Sequence, residues 1–236
     1  NYMGKFYLLV DSMEQAKSCL EKAYFISDSL HKMNVKRLVL DKLIEVEEQL
    51  EPYKALRYAK DMLKMYDSMA NVTIYNKVAA RLRLGENFFY VGSLQHALEE
   101  ERKAYRMAMK AGDSNLLSYV RQNLASTFEE MGEKDSCLYY ARLAYDLNAA
   151  NRFSCLLTFA SAYISVDSLN QAFSLLNQAL PKTAEDRYSV FYFQSQAAMK
   201  AQDFKSAKSF SDSAYHYLED MYRTALQGKA AYYTSF

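Results

Sequence analysis

Pairs of small residues seven positions apart recur along the chain and constrain its fold more than any other feature. Ala97 and Ala104 form one pair; Ala16 and Ala23, Cys137 and Ala144, Ala172 and Ala179, and Ala207 and Ala214 form others, with Ala55 and Met62 as a looser copy. Seven residues are two helical turns, so each pair lies on one helix face and lets a neighbouring helix approach closely. Successive first members stand 39, 42, 40, 35 and 35 residues apart. A period of this length marks a stack of supersecondary units, each burying its apolar face against the next.

Twelve residues before each pair come Gly4, Leu43, Gly85, Ala125, Ala160 and Ser195, and three further on Tyr7, Val46, Phe88, Phe128, Tyr163 and Ala198. Small then large at this spacing places the large side chain over the gap left by the small one. Between the two predicted helices, four residues ahead of each pair, stand Ser12, Glu51, Ser93, Glu133, Ser168 and Asp203. These read as N-caps, with capping boxes for Ser12–Gln15 and Ser168–Gln171. Pro52 suits a first helical turn, and Gly92 and Gly132 suit turns of positive φ. With only two prolines and six glycines in 236 residues, little else interrupts helix.

The expected fold is all-α: a right-handed superhelical solenoid of antiparallel helix hairpins, about 13 helices in one array over residues 1–236. The hairpins are expected at about 1–31, 35–69, 73–111, 114–149, 152–180 and 186–217, with a final helix at about 219–235. Breaks fall at Ala111-Gly112-Asp113, Asn148 to Asn151 and Pro181 to Asp186, none long enough for a flexible linker.

Several functions are disfavoured. The charge is +1, from 29 basic and 28 acidic residues, and no basic stripe is visible, so direct nucleic-acid binding is not expected. No run approaches 18 apolar residues, so no membrane span is expected, and the compartment, cytoplasmic or extracytoplasmic, stays open. Cys19, Cys137 and Cys155 have no metal-ligand spacing and read as small packing residues, with a disulfide as the alternative. His31, His96 and His216 lie in different repeats and read as ordinary surface or half-buried residues. No phosphate loop, nucleophile elbow or zinc pair is present, so no enzyme and no cofactor or metal is expected. The Asp-Ser dipeptides at 11–12 and 167–168 read as turns, and the acid runs Glu45–Glu51 and Glu99–Glu101 as solvated helix surface, with Glu99 paired to Lys103 and an electrostatic docking patch as the alternative. The 21 tyrosines, Tyr139-Tyr140 and Tyr232-Tyr233 among them, serve core packing first and a binding face second.

Gly85, Phe88, Gly92, Ala97 and Ala104 resemble the tetratricopeptide repeat, as do Ala160, Tyr163, Ala172, Leu176 and Ala179, and Ala125, Phe128, Gly132, Cys137, Ala141 and Ala144. Ser195, Phe204, Ala207 and Ala214 form a more degenerate copy, and the family's frequent early tryptophan is missing. The resemblance implies a scaffold that binds peptides or protein surfaces in a groove lined by the first helix of each pair. The Asp-Ser and tyrosine-rich turns are also similar in style to tetratricopeptide regions of Bacteroidetes-type regulators, which implies an output domain of the same full-length protein as partner. A free-standing scaffold or assembly factor, and a homodimer through terminal helices, are the alternatives.

Indexed on the first helices, the groove positions are Leu82, Glu86 and Phe89; Tyr119, Gln122, Ser126 and Glu129; Leu157, Ser161 and Ile164; and Tyr192, Gln196 and Met199. This mixture of aromatic, amide and acid suits a peptide segment, and it lacks the Lys and Arg cluster that clamps a carboxylate or phosphate.

Overall fold

The structure, a computed structural model, describes residues 2–147 and 149–234, with side chains from 13 to 225. Asn148 lies outside the described residues, as do the side chains of Tyr7, Tyr232 and Tyr233. Eleven α-helices and no strand occur among the described residues. They divide into two compact units, Asn1–Leu116 and Leu117–Phe236.

The first unit holds α1 (Tyr2–Ser29), α2 (Met33–Leu50), α3 (Pro52–Ser68), α4 (Ile74–Tyr90) and α5 (Leu94–Ala111). Each packs on the next from α1 to α5. Leu40, Leu43 and Ile44 of α2 meet Ala55, Ala59, Met62 and Met65 of α3 and Ala80 and Leu84 of α4 in one core. Gly85 shows what the small residues do. A Cβ there would lie 3.1 Å from Glu101 Cγ and 3.4 Å from the Ala97 carbonyl oxygen, so the α4 backbone rests against α5.

The second unit holds α6 (Ser114–Glu130), α7 (Lys134–Tyr145), α8 (Arg152–Ser165), α9 (Leu169–Asn177), α10 (Ala184–Lys200) and α11 (Phe204–Thr234). Cys137, Ala144, Ala160, Ala172, Ala207 and Ala214 are all buried. Phe128 stacks on Tyr140 at 5.5 Å, and Tyr163 meets Phe159 at 4.5 Å.

The turns of four hairpins, α4–α5, α6–α7, α8–α9 and α10–α11, share one device. At Gly92, Gly132, Asp167 and Gln202, φ lies between 60° and 75°. The residue at positive φ bonds back three positions, and the residue after it bonds back five, as Gly92 to Phe89 and Ser93 to Phe88. This is the Schellman closure, which satisfies the last carbonyls of the first helix.

The helix count is eleven rather than 13 because two expected breaks are absent: α1 runs unbroken through Ser12, and α11 unbroken past residue 218. Neither stretch offers a proline or a glycine at the expected break, so the helical hydrogen bonds continue. The capping boxes are also absent. Ser12 lies inside α1, and Ser168 sits at an N-cap with φ −86° and ψ 62°, outside the extended geometry a capping hydroxyl needs, and makes no cap bond. The capping box that does form is Thr183 with Asp186.

Candidate functional site

The first helices of the hairpins carry the candidate site, and the two units present different chemistry on them. In the first unit, Asp41, Glu45 and Glu48 share one face of α2 by helical spacing, and Arg83 and Glu86 stand on α4. The Arg83 guanidinium lies 3.4 Å from Asp41, 3.5 Å from Glu45, 3.6 Å from Glu48 and 3.7 Å from Glu86. Burial works against its charge, but Glu48, Glu86 and Asp41 outweigh burial and hold its pKa above the usual arginine value. Asn87 donates to Glu48 at 3.0 Å and to the Arg83 carbonyl at 2.8 Å. Burial, against the opposing pull of Arg83 and Asn87, leaves the Glu48 carboxyl above its ordinary pKa. Tyr90 is exposed, but partial desolvation at the foot of its ring, with Glu48 and Glu86 nearby, holds its phenol above the ordinary value.

Three groove positions were expected here. Glu86 joins the Arg83 network, and Phe89 is half-buried with its ring edge-on to Tyr90 at 6.0 Å. Leu82 is a correction: it is 8% exposed and belongs to the interior. It lies four residues after Val78 and three before Gly85, both buried, so helical register turns it into the packing seam. Asp41, Arg83 and Tyr90 were missed. The visible signal was Asp41, Glu45 and Glu48 at i, i+4, i+7, with Arg83 one repeat later.

Tyr119, Ser126, Tyr192, Gln196 and Met199 are exposed, and Gln122, Glu129, Leu157, Ser161 and Ile164 are half-buried. Gln122 of α6 reaches α8, where it donates to Ser154 and to Thr158 (3.1 Å) and accepts from Asn151 at 3.0 Å. Ser118 donates to Asn151 at 2.8 Å, and Ser161 to Glu129 at 2.7 Å. Lys200 ties α10 to the end of α8, donating to the Ile164 carbonyl at 2.6 Å and pairing with Asp167 at 3.0 Å. Burial raises the Glu129 carboxyl above its ordinary pKa against the pull of the Ser161 hydrogen bond. These bonds fix the side chains between helices and leave Tyr119, Tyr192 (stacked on Tyr188 at 6.0 Å), Gln196 and Met199 as the outward contacts.

The acid runs are less solvated than the sequence reading has them. Glu47 is fully buried, with Lys17 Nζ 3.4 Å away. Glu100 and Glu101 are buried as well. Lys103 and Arg81 both pair with Glu100, in place of the expected Glu99–Lys103 pair. The three cysteines are free. Cys137 and Cys155 pack as expected, and burial, with Glu129 second, pushes the Cys137 thiol up to about 12. Cys19 is exposed and so does not pack. Among the described residues no group of His, Cys, Asp and Glu is gathered to hold a metal, and no helix is long and apolar enough to cross a membrane.

A scan against protein-family models finds no match, and no curated protein matches the sequence. Solved structures do match in fold. BtubC from P. vanneervenii aligns with a TM-score of 0.68 at 15% identity, over 90% of this chain and 92% of that one. A Rap protein complexed with competence and sporulation factor aligns at 0.69 and 15% identity, over 99% of this chain and 68% of that one. A signal-transduction ATPase with a tetratricopeptide repeat sensor, from Pyrococcus horikoshii, aligns at 0.64 and 14% identity, over 96% of this chain and 37% of that one. The chain thus has a tetratricopeptide-like, all-α helix-hairpin solenoid fold.

Proposed function

We propose that this chain is a non-catalytic interaction module that binds a peptide segment or protein surface on the first-helix face of α6, α8 and α10. The observation that carries the reading is the set of exposed Tyr119, Tyr192, Gln196 and Met199, standing beside side chains already locked by hydrogen bonds between helices. Tyrosine and methionine on a rigid scaffold give large contact area at small entropic cost, and free amide groups give orientation. The ligand is an extended or helical peptide held by apolar and amide contacts. The Rap protein's complex with competence and sporulation factor supports a binding role for a fold of this kind.

The finer reading is the sensory or regulatory repeat region of a larger protein, with residues 1–236 acting as one array of hairpins. The test is selection of peptides on the parent from a random library, followed by titration against the Tyr119→Ala/Tyr192→Ala variant. Truncating two central anchors is expected to weaken selected peptides by tenfold or more, about 1.4 kcal/mol, with helicity unchanged. Equal binding by both proteins places the interface elsewhere.

A further inference from the structure

The last turns of α6, α8 and α10 hold equivalent positions in successive repeats, and one of the two steps between them is closed by a lysine. Ala125, Ala160 and Ser195 correspond, 35 residues apart, and so do Glu130, Ser165 and Lys200. At the step from α10 to α8, Lys200 donates to the Ile164 carbonyl at 2.6 Å and to the Ser165 carbonyl at 3.2 Å, and its Nζ lies 3.0 Å from Asp167. An ammonium group suits this place, because the last carbonyls of a helix carry the negative end of its dipole. The end of α6 is built in the same way. Gly132 bonds back to the Glu129 carbonyl and Glu133 to that of Phe128, as Asp167 does to Ile164 and Ser168 to Tyr163. At the step from α8 to α6, however, the residue in the lysine's position is Ser165. It donates to its own helix, at the Ala162 carbonyl (2.8 Å).

Glu129 is the carboxylate beside that unfilled step. It is half-buried, accepts from Ser161 at 2.7 Å, and has no ion-pair partner among the described residues. Burial holds its pKa above the ordinary value against the Ser161 hydrogen bond, with Glu130 adding to the rise and Lys200 opposing it. On α7 the Cys137 thiol, pushed up to about 12 by burial and then by Glu129, brings no charge. The remaining cations of the three first helices are engaged with second helices. Arg121 donates to the Leu143 carbonyl and Arg152 to the Tyr145 hydroxyl, both on α7, and Arg187 lies over the Tyr217 ring of α11. The face of α6, α8 and α10 therefore carries an unpaired carboxylate and offers it no cation of its own.

We propose that the end of α6 is a cation subsite: a lysine or arginine side chain of the bound peptide reaches the Glu129 carboxylate and the Glu129 and Glu130 carbonyls, the place that Lys200 takes at the end of α8. This rests on the binding face proposed above and adds the charge that its ligand carries. Tyr119 and Tyr192 supply contact area, and Glu129 selects a basic residue.

Two measurements test it. The first needs no ligand. Ser165→Lys places a lysine where the next repeat has Lys200, and a carbon-13 NMR titration of the Glu129 side-chain carboxyl should then give a lower midpoint than in the parent. An unmoved midpoint in the folded variant overturns the subsite. The second uses peptides selected on the parent from a random library at pH 7.5. They should share a Lys or Arg. Replacing it by norleucine or citrulline, which keep the shape without the charge, should weaken binding about tenfold on the parent and less than about twofold on Glu129→Gln or Ser165→Lys. Peptides that lose affinity for Tyr119→Ala/Tyr192→Ala, yet share no basic residue or lose equally on the parent and Glu129→Gln, overturn the subsite and leave the binding face standing. Peptides that depend on Glu129 but not on the two tyrosines support the subsite and remove the tyrosines from the face. A library that yields no binder overturns both.

Discussion

Lys17 shows how much one residue carries in this fold. Its ammonium is 2.9 Å from Glu51 and 3.4 Å from Glu47, and the Glu47 carboxylate is wholly enclosed with no hydrogen bond among the described residues. The Glu51 hydrogen bond and the Glu47 charge hold the Lys17 pKa above its ordinary value against burial, while burial raises that of Glu47 against Lys17. A carboxyl whose folded pKa is raised binds protons more readily folded than unfolded, so stability falls as pH rises from the unfolded value through the folded one. Lys17→Met should therefore destabilise by about 3 kcal/mol at neutral pH, because it leaves the enclosed Glu47 carboxylate without its partner charge. The loss should shrink as the pH falls through the raised Glu47 value. Urea titrations of parent and variant at pH 7.5 and pH 5 check it: an equal loss at both would mean that the Glu47 charge is not the cause. The run Glu45–Glu51 is easily read as solvated surface, because charge alone does not say which carboxylate the helix turns inward. Lys17 lies 30 residues upstream of Glu47, in a segment whose own hairpin was expected to end near residue 31.

At the scale of the element, the hairpins are legible because two signals coincide: small residues where helices touch, and a residue of positive φ five positions ahead. At Gly92 and Gly132 the second signal is visible in the sequence. At Asp167 and Gln202 it is not, because the left-handed backbone there is imposed by the Schellman bonds on ordinary residues. Those two positions hold strain that glycine would relieve. Gln202→Gly is expected to stabilise by about 0.5–1 kcal/mol, the left-handed penalty less the entropy glycine gains unfolded. Gly92→Val should cost more than about 1 kcal/mol, since a β-branched residue is least tolerant of that region. Urea midpoints moving in opposite directions at constant slope would bear this out. The unbroken α1 and α11 follow from the same physics. A helix ends where a residue or a tertiary contact ends it, and the sequence offers no strong breaker at either expected turn.

For the whole molecule, composition and period together leave only a stack of helix pairs. The division at Leu116 and Leu117 has no such signal. It falls in the first turn of α6, three residues past the Gly112-Asp113 turn, in a stretch no more polar than other turns. A division set by contacts rather than by a linker should show in how damage spreads. In a stack, each hairpin draws stability from its neighbours, so a lesson learned at one helix should fade with distance along the chain. Ala160 is fully buried on α8, and Ala160→Leu adds three carbons where no room exists, at a cost of about 1–3 kcal/mol. Hydrogen exchange of this variant should lose protection in α8, α9 and α10, which pack on one another, while the amides of α2, α3 and α4 keep theirs. Loss spread evenly over both units would instead make the chain one cooperative body, and a ligand bound on α6, α8 and α10 would then stabilise α2 as much as α8. Loss confined to the second unit means that such a ligand stiffens only its own unit.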